Sequence, residues 1–503
     1  MSEKNLSDQS TRSNQASISI DWSYADAPES TSHVTFSKHY GLFIDGSFTK
    51  YNENQSFESI NPANGESLYR FTETNESDVD TAVKAARKAF KGTWGTTSGT
   101  QRSHHLYRIA RMLQERAREF AVLESMDGGK PIRESRDIDI PLAAAYFFYY
   151  AGWADKLAYA FPGKSPQPLG VCAQIIPWNF PLLMLAWKIA PALACGNTVV
   201  LKPAETTSLT ALKFCELLQD VGLPDGVVNI VTGAAKTGEY LVQHPDIDKI
   251  AFTGSTGVGK VIQQSIAERQ LPATFELGGK GAFILFDDAA LNEAVEGIVN
   301  AIFFNQGHVC CAGSRLLVQE GVAEKVIDLL KKRMQHLIVG DPLDKNTDIG
   351  AVNSKEQLET IQRYVKTGIQ EGAICFECSG SLPTSGYYFP PTILTGVSQS
   401  STVVQEEIFG PVLTIQTFRT TDEAIEKANN TPYGLANGIW TDKGSKIFYV
   451  GSKLKSGVVW SNTYNKFDPT SPFGGFKESG KGREGGISGL HAYVKLDHNG
   501  GMY

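Results

Sequence analysis

The chain has 503 residues, 41% of them hydrophobic and 20% charged, with a formal net charge of −7. That is an ordinary globular composition, long enough to bury a large core and, at roughly 150 residues per domain, to make about three domains. The acidic balance argues against a nucleic-acid partner, which needs clustered positive charge, and against adsorption to membranes.

Residues 1–35 are polar and rich in Ser, Asn, Asp and Glu. They lack the apolar run of a secretory signal, and their acids disfavour a mitochondrial presequence. They read as a flexible extension with a late apolar anchor at Trp22 and Tyr24. Residues 40–48 (YGLFIDGSF) predict a strand pair around an Asp-Gly turn. Helical spacing follows over Asp78–Phe90, with Ser77 as its cap, then over Gln101–Asp127, stopped by Gly128 and Gly129. A third, unusually aromatic helix is expected over Pro141–Leu157.

From Gly170 the rhythm changes. Strands are predicted over Leu169–Ile176, Thr198–Leu201, Val227–Val231 and Lys249–Thr253. Helices are predicted over Pro181–Cys195, Ser208–Val221 and Gly257–Arg269. Such alternation implies a parallel sheet with helices on its faces. A second series runs through Ala282–Phe286, Ala290–Phe304, Arg315–Gln319, Val322–Ile338 and Glu356–Glu371. The expected fold is therefore α/β, with two domains meeting near 275–279. No stretch approaches the ~18 uninterrupted apolar residues of a membrane span. Seven scattered cysteines do not make a disulfide scaffold and point to a reduced, cytoplasmic setting.

Four segments carry possible chemistry. Residues 303–315 (FFNQGHVCCAGSR) place Cys310 and Cys311 in a small loop opened by Gly307. A thiol near loop amides can act as a nucleophile, although adjacent cysteines alone are more often small buried hydrophobes. Residues 276–280 (ELGGK) set Glu276 before a glycine pair at a strand end, where it could be a general base or a surface carboxylate at a turn. Residues 176–181 (IPWNFP) offer Asn179 as an oxyanion donor or as an ordinary turn residue. Residues 252–260 (FTGSTGVGK) resemble a phosphate loop. Val261 follows where a magnesium-binding Ser or Thr would be needed, which disfavours a nucleoside triphosphatase. Cys375 and Cys378 form a CxxC read as part of a strand, with no metal site evident.

In this order the segments PWNFP, LKPAE, FTGSTGVGK, ELGGK, FFNQGHVCCAGSR, EEIFGPV and SPFGGFKESG resemble the aldehyde dehydrogenase superfamily, from about Tyr40 to Lys495. The resemblance implies two doubly wound parallel-sheet domains: a Rossmann-like cofactor domain (36–150 and 169–275) and a catalytic domain (276–477). A small oligomerisation element (151–168 and 478–503) completes it. By position, Cys310 matches the nucleophile, Glu276 the base that activates the deacylating water, and Asn179 with the Cys310 amide the oxyanion hole. Lys188 and Glu484 align with a proton path. Lys202 and Glu205 match the adenosine-ribose contacts, and Ser255 the pyrophosphate contact. Glu407 and Phe409 match the nicotinamide contacts, and Ile176, Pro177, Trp178, Gly254 and Gly278 lie along the cofactor.

The implied activity is NAD-dependent oxidation of an aldehyde to its acid through a Cys310 thiohemiacetal and thioester. Glu276 favours hydrolysis over transfer to coenzyme A, and Glu205 favours NAD over NADP by repelling a 2′-phosphate. No metal is expected. Phe180, Met184, Trp187, Val309, Cys311, Phe467 and Phe473 align with an apolar pocket wall suited to a medium aliphatic or aromatic aldehyde. A catalytically silent binding protein and a cofactor-free thioesterase or esterase are the competing classes.

The sequence departs from the family at His308, usually Gln, and at Gly257 and Asn465, both frequently acidic. Residues 154–168 are short and carry three prolines where relatives have a long subunit-joining hairpin. A paired strand is not expected there, and a homodimer is favoured over a tetramer.

Overall fold

A computed structural model describes residues 25–497; Trp22 and Tyr24 lie outside the described residues. Two large sheets organise the chain. The first has eight strands, in the order Gly480–Lys481, Ala273–Glu276, Lys249–Thr253, Val171–Ile175, Thr198–Lys202, Val228–Ile230, Phe43–Ile44 and Ser47–Phe48. Its five central strands are parallel. Their chain order reverses between Val171–Ile175 and Lys249–Thr253. In a doubly wound sheet that reversal opens a crevice at the carboxyl ends of the strands, where a dinucleotide binds.

The second sheet has seven strands, in the order Ile374–Glu377, Thr392–Thr395, Val412–Phe418, Arg315–Gln319, Ala282–Leu285, Ala436–Trp440 and Val458–Ser461. Only the first of these is antiparallel to its neighbour. The strands read as near-continuous apolar runs because helices cover both faces. The chain passes from one sheet to the other between Glu276 and Ala282.

Local chemistry explains several elements. Asp45 and Gly46 both have positive φ, 50° and 80°, so the Phe43–Phe48 hairpin closes with the turn twist that two-residue hairpins require. Helix Glu76–Lys91 begins at Asn75, whose side chain accepts from the Asp78 N–H while Asp78 accepts from the Asn75 N–H. Asn75, not Ser77, is therefore the cap. Tyr40 leaves the hairpin and joins a separate three-stranded sheet.

Other expectations are corrected. The long charged helix is two, Gly99–Glu115 and Ala117–Gly128, broken at Arg116. Arg116 ion-pairs with Glu119 at 2.8 Å and Asp220 at 3.2 Å. The charge pattern is continuous across the corner, so spacing alone does not reveal it. Helix Ala235–Gln243 was not foreseen. Residues from Ala27 onward do not hang free: the Glu29 N–H donates to the Leu343 carbonyl at 2.7 Å, and the Glu29 carboxylate lies between Arg118 and Lys345.

The proline-rich stretch also pairs. Ser165–Pro168 forms an antiparallel ribbon with Val494–Asp497, in which Pro168 faces Val494 and Pro166 faces Leu496. Alternate residues of a strand turn their N–H groups the same way. Prolines two apart therefore leave the intervening donor available to the ladder, which is why they do not break this edge. Gly480–Lys481, expected in the oligomerisation element, instead completes the edge of the first sheet.

Candidate active site

Most of the sequence-predicted residues converge on one cavity of about 230 Å³. Its walls include Pro177, Trp178, Asn179, Gly254, Ser255, Glu276, Gly278, Cys310, Glu407 and Phe409. They also include Phe180, Met184, Trp187, Val309, Cys311, Phe467, Phe473 and Glu484. Four predicted residues do not line it. Ile176 is buried and its N–H donates to the Lys202 carbonyl at 3.1 Å. Lys202 is buried, its ammonium donating to the Pro203 carbonyl and lying 3.6 Å from the exposed Glu205 carboxylate. Lys188 sits behind the wall.

The turn that carries Cys310 is unusual. After helix Leu291–Phe303, Asn305, Gln306 and Gly307 have φ of 48°, 53° and 74°. Such a run needs external support. Gln306 donates to the Ala351 carbonyl and accepts from the Gly350 N–H, and Asn305 donates its N–H to the Glu134 carboxylate. A methyl group at Gly307 would lie 2.1 Å from the Gly410 carbonyl oxygen. Gly307→Ala is expected to destabilise the protein by about 3 kcal/mol or more through this clash and the left-handed φ. A melting curve checks this: an unchanged transition would show the turn is not tightly held.

Cys310 is partly exposed and Cys311 is buried, its thiol 3.8 Å from the Asn465 Oδ1. Contact with the Cys311 thiol and burial push the Cys310 thiol well above the ordinary thiol range. The chain at rest therefore holds Cys310 protonated. The Asn179 amide Nδ2 donates to the His308 carbonyl at 2.8 Å, two residues before Cys310. An amide has two N–H bonds, so the second remains for a ligand.

Glu276 ends the strand Ala273–Glu276, paired with Gly480 of the edge strand. Both its carboxylate oxygens are buried without a hydrogen-bond partner among the described residues. Burial, then the Glu484 carboxylate, push its pKa well above the usual carboxyl range; Lys188 opposes them. The Lys188 ammonium and Glu484 carboxylate form a buried pair at 2.7 Å, and the Thr274 hydroxyl lies 3.5 Å from the same Glu484 oxygen.

The cofactor side suits a dinucleotide. Ser255 caps helix Thr256–Ile266 by accepting from the Val258 N–H, so the helix start opens at the crevice. A Cβ at Gly278 would meet Glu407 Oε2 at 2.2 Å, and one at Gly254 would meet the Phe252 ring at 2.6 Å. Only glycine leaves room for close backbone approach at these two wall positions. Glu407 accepts the Gly279 N–H at 3.0 Å, yet burial pushes its carboxyl up to about 7. Phe409 has φ of 57°, and the Gln357 amide donates to its carbonyl at 2.8 Å.

His308 faces this side. Its ring packs edge-on against Trp178 at 4.8 Å and stacks on Phe409 at 5.8 Å. Burial pushes it down to about 3, so it is neutral. Gly257 is exposed with open space at its Cβ position, and Asn465 donates to the Asn300 carbonyl.

Sequence reasoning missed Ile138, Asp139, Leu142 and Phe304 in the wall. Ile138 and Asp139 lie on a π-helical turn, Ser135–Asp139, whose period hides the inward face.

The aldehyde dehydrogenase family model matches residues 48–498. Aldehyde dehydrogenase family 2 member B4, mitochondrial, of Arabidopsis thaliana is 44% identical over 470 residues, covering 91% of this chain and 87% of that one. An aldehyde dehydrogenase of Aspergillus niger is 44% identical over 473 residues, covering 92% and 95%. The solved NAD+ complex of aldehyde dehydrogenase from Bacillus cereus is 42% identical, with a TM-score of 0.88 over 91% of this chain and 96% of that one. A family match over nearly the whole length, together with the shared fold, means that this chain belongs to the aldehyde dehydrogenase family.

Proposed function

We propose that Cys310, Asn179 and Glu276 divide the work of aldehyde oxidation in this chain, on an uncharged aromatic or medium aliphatic substrate. The family reaction, oxidation of an aldehyde to its carboxylic acid with NAD, supplies the overall chemistry. The observation that carries the assignment is the single cavity that holds all three residues, with an unpartnered buried carboxylate at Glu276.

In this reading the Cys310 thiol gives its proton to solvent water entering the cavity, and its sulfur attacks the carbonyl carbon. The carbonyl electron pair moves to oxygen, where the free N–H of Asn179 and the Cys310 amide receive it. The thiohemiacetal held on Cys310 would present its carbon-bound hydrogen toward the cofactor side of the cavity, where NAD, when bound, supplies the hydride acceptor. Glu276 then removes a proton from water, which attacks the thioester, and the Cys310 sulfur leaves. Lys188 and Glu484 carry protons between Glu276 and the interior. Lys202 and Glu205 hold the adenosine ribose, Ser255 the pyrophosphate, and Glu407, Phe409 and Trp178 the nicotinamide end. Pro177, Gly254 and Gly278 form the backbone floor, with Ile176 buried behind it.

The wall supports this substrate class. Its aromatic and aliphatic side chains are joined by Asp139, Glu276, Glu407 and Glu484, and among the described residues no Lys or Arg lines it. A second carboxylate on the aldehyde would meet acids, apolar carbon and a few neutral polar groups with no cation to pair it, a cost on the order of several kcal/mol. The expected result is a kcat/KM for phenylacetaldehyde at least about 100-fold above that for succinic semialdehyde, read as NADH formation. The reverse order would reject the class; ester cleavage without any NADH formation would reject the oxidation.

The free state of all seven cysteines supports a reduced, cytoplasmic location. The short ribbon at residues 165–168 and 494–497 supports a homodimer over a hairpin-built tetramer, which sedimentation velocity distinguishes.

A further inference from the structure

We infer that Asn305, seated on the buried Glu134, is the positioning residue that aims the Asn179 amide and ties it to the nucleophile loop. This rests on the reading of Asn179 as the oxyanion donor.

Three hydrogen bonds close a small ring. The Asn305 Nδ2 donates to the Asn179 carbonyl at 2.8 Å, and more weakly to the His308 carbonyl at 3.4 Å. The Asn179 Nδ2 donates to that same His308 carbonyl at 2.8 Å. One of the two N–H bonds of Asn179 is thereby fixed, which fixes the direction of the other. His308 is two residues from Cys310, so donor and nucleophile share one frame.

Asn305 itself is held from outside. It is 2% exposed and left-handed at φ 48°, a conformation Asn tolerates better than most residues. Its N–H donates to Glu134 Oε2 at 2.9 Å. Glu134 belongs to a buried cluster in which Lys130 contacts Asp139 and lies 3.9 Å from Glu124. The same cluster steadies the other flank of Asn179. The Lys130 ammonium sits 4.1 Å from the Phe180 ring centroid, and Glu124 accepts the Leu182 N–H at 3.2 Å. Neither Asn305 nor Glu134 lines the cavity, so both act through other groups.

The test is a double-mutant cycle on the full-length protein, with kcat, KM, NAD binding and melting temperature measured for each variant. Asn179→Ala is expected to lower kcat about 10²- to 10³-fold, as loss of an oxyanion donor does. Asn305→Gly keeps the left-handed backbone and removes the donors. It is expected to lower kcat about 10- to 100-fold by misaiming the amide, with KM within about threefold. On the Asn179→Ala background, Asn305→Gly is expected to add less than about twofold, because its effect travels through the missing amide. The isosteric Asn305→Asp, also lacking the donors, should repeat the pattern. Multiplicative losses, or an unchanged kcat in Asn305→Gly, would overturn the inference, as would failure of both Asn305 variants to fold. An unchanged kcat in Asn179→Ala would instead reject the oxyanion reading beneath it.

Discussion

Cys310→Ala is expected to lower NAD-linked aldehyde turnover by on the order of 10⁴- to 10⁶-fold, the loss that follows removal of a covalent nucleophile. The thiol has no substitute in the wall. Cys311 is buried, its thiol turned toward Asn465, and the His308 ring lies against Trp178 and Phe409. Without a carbon–sulfur bond no thiohemiacetal forms, and hydride would have to leave an aldehyde or its hydrate. The fold should tolerate the change. Cys310 is partly exposed and its sulfur contacts the neighbouring Cys311 thiol, while Gln306, Asn305 and Gly307 hold the turn. NAD affinity by calorimetry should therefore stay within about threefold of the parent. A variant that still turns over, or one that no longer binds NAD, would contradict the assignment.

Glu276→Gln is expected to separate the two halves of the reaction. NADH should appear as a burst near one equivalent per site, followed by a steady rate about 10²- to 10⁴-fold below the parent, because the amide cannot take a proton from water. The parent's pH dependence has a definite sign. Burial and the Glu484 carboxylate hold the Glu276 pKa well above the usual range, so the base form is a minority below that pKa and grows as pH rises. Deacylation should climb about tenfold per pH unit until Glu276 is ionised, then level off. In Glu276→Gln that climb should vanish. The same burial ties ionisation to stability: a carboxyl with a raised folded pKa stabilises the protein fully below its unfolded pKa. That contribution is lost as pH rises through the folded value. Activity at Glu276 and stability thus respond oppositely to alkali.

Much of this was legible in the sequence. The strands Lys249–Thr253 and Arg315–Gln319 agree with their apolar runs residue for residue, because strands covered on both faces have little else to be. The Asp45-Gly46 turn was legible for a different reason: few residue pairs accept two positive φ angles. What stayed hidden depends on distant partners. Nothing local to Arg116 marks a corner pinned by Asp220, over a hundred residues away. The pairing of Pro166 and Pro168 depends on a strand at the far end of the chain.

The site divides the same way. The residues brought into one cavity were recognisable because their segments are long and specific, and it was the family resemblance, not spacing, that separated Cys310 from Cys311. The support was not. Glu134 and Asn305 are 171 positions apart, and their bond exists only because the helix–π-turn segment before Ile140 folds against the nucleophile turn. His308 illustrates both sides. It lies two residues from Cys310, where close neighbours rarely point at each other, and its ring packs on Trp178 and Phe409, with burial keeping it neutral.

Mass spectrometry of Glu276→Gln, quenched after mixing with phenylacetaldehyde and NAD, tests the central claim most directly. The account predicts one acyl group per chain, mapped by digestion to Cys310 and removed by hydroxylamine. NADH forming with every cysteine unmodified, or an acyl group found on Cys311, would contradict it.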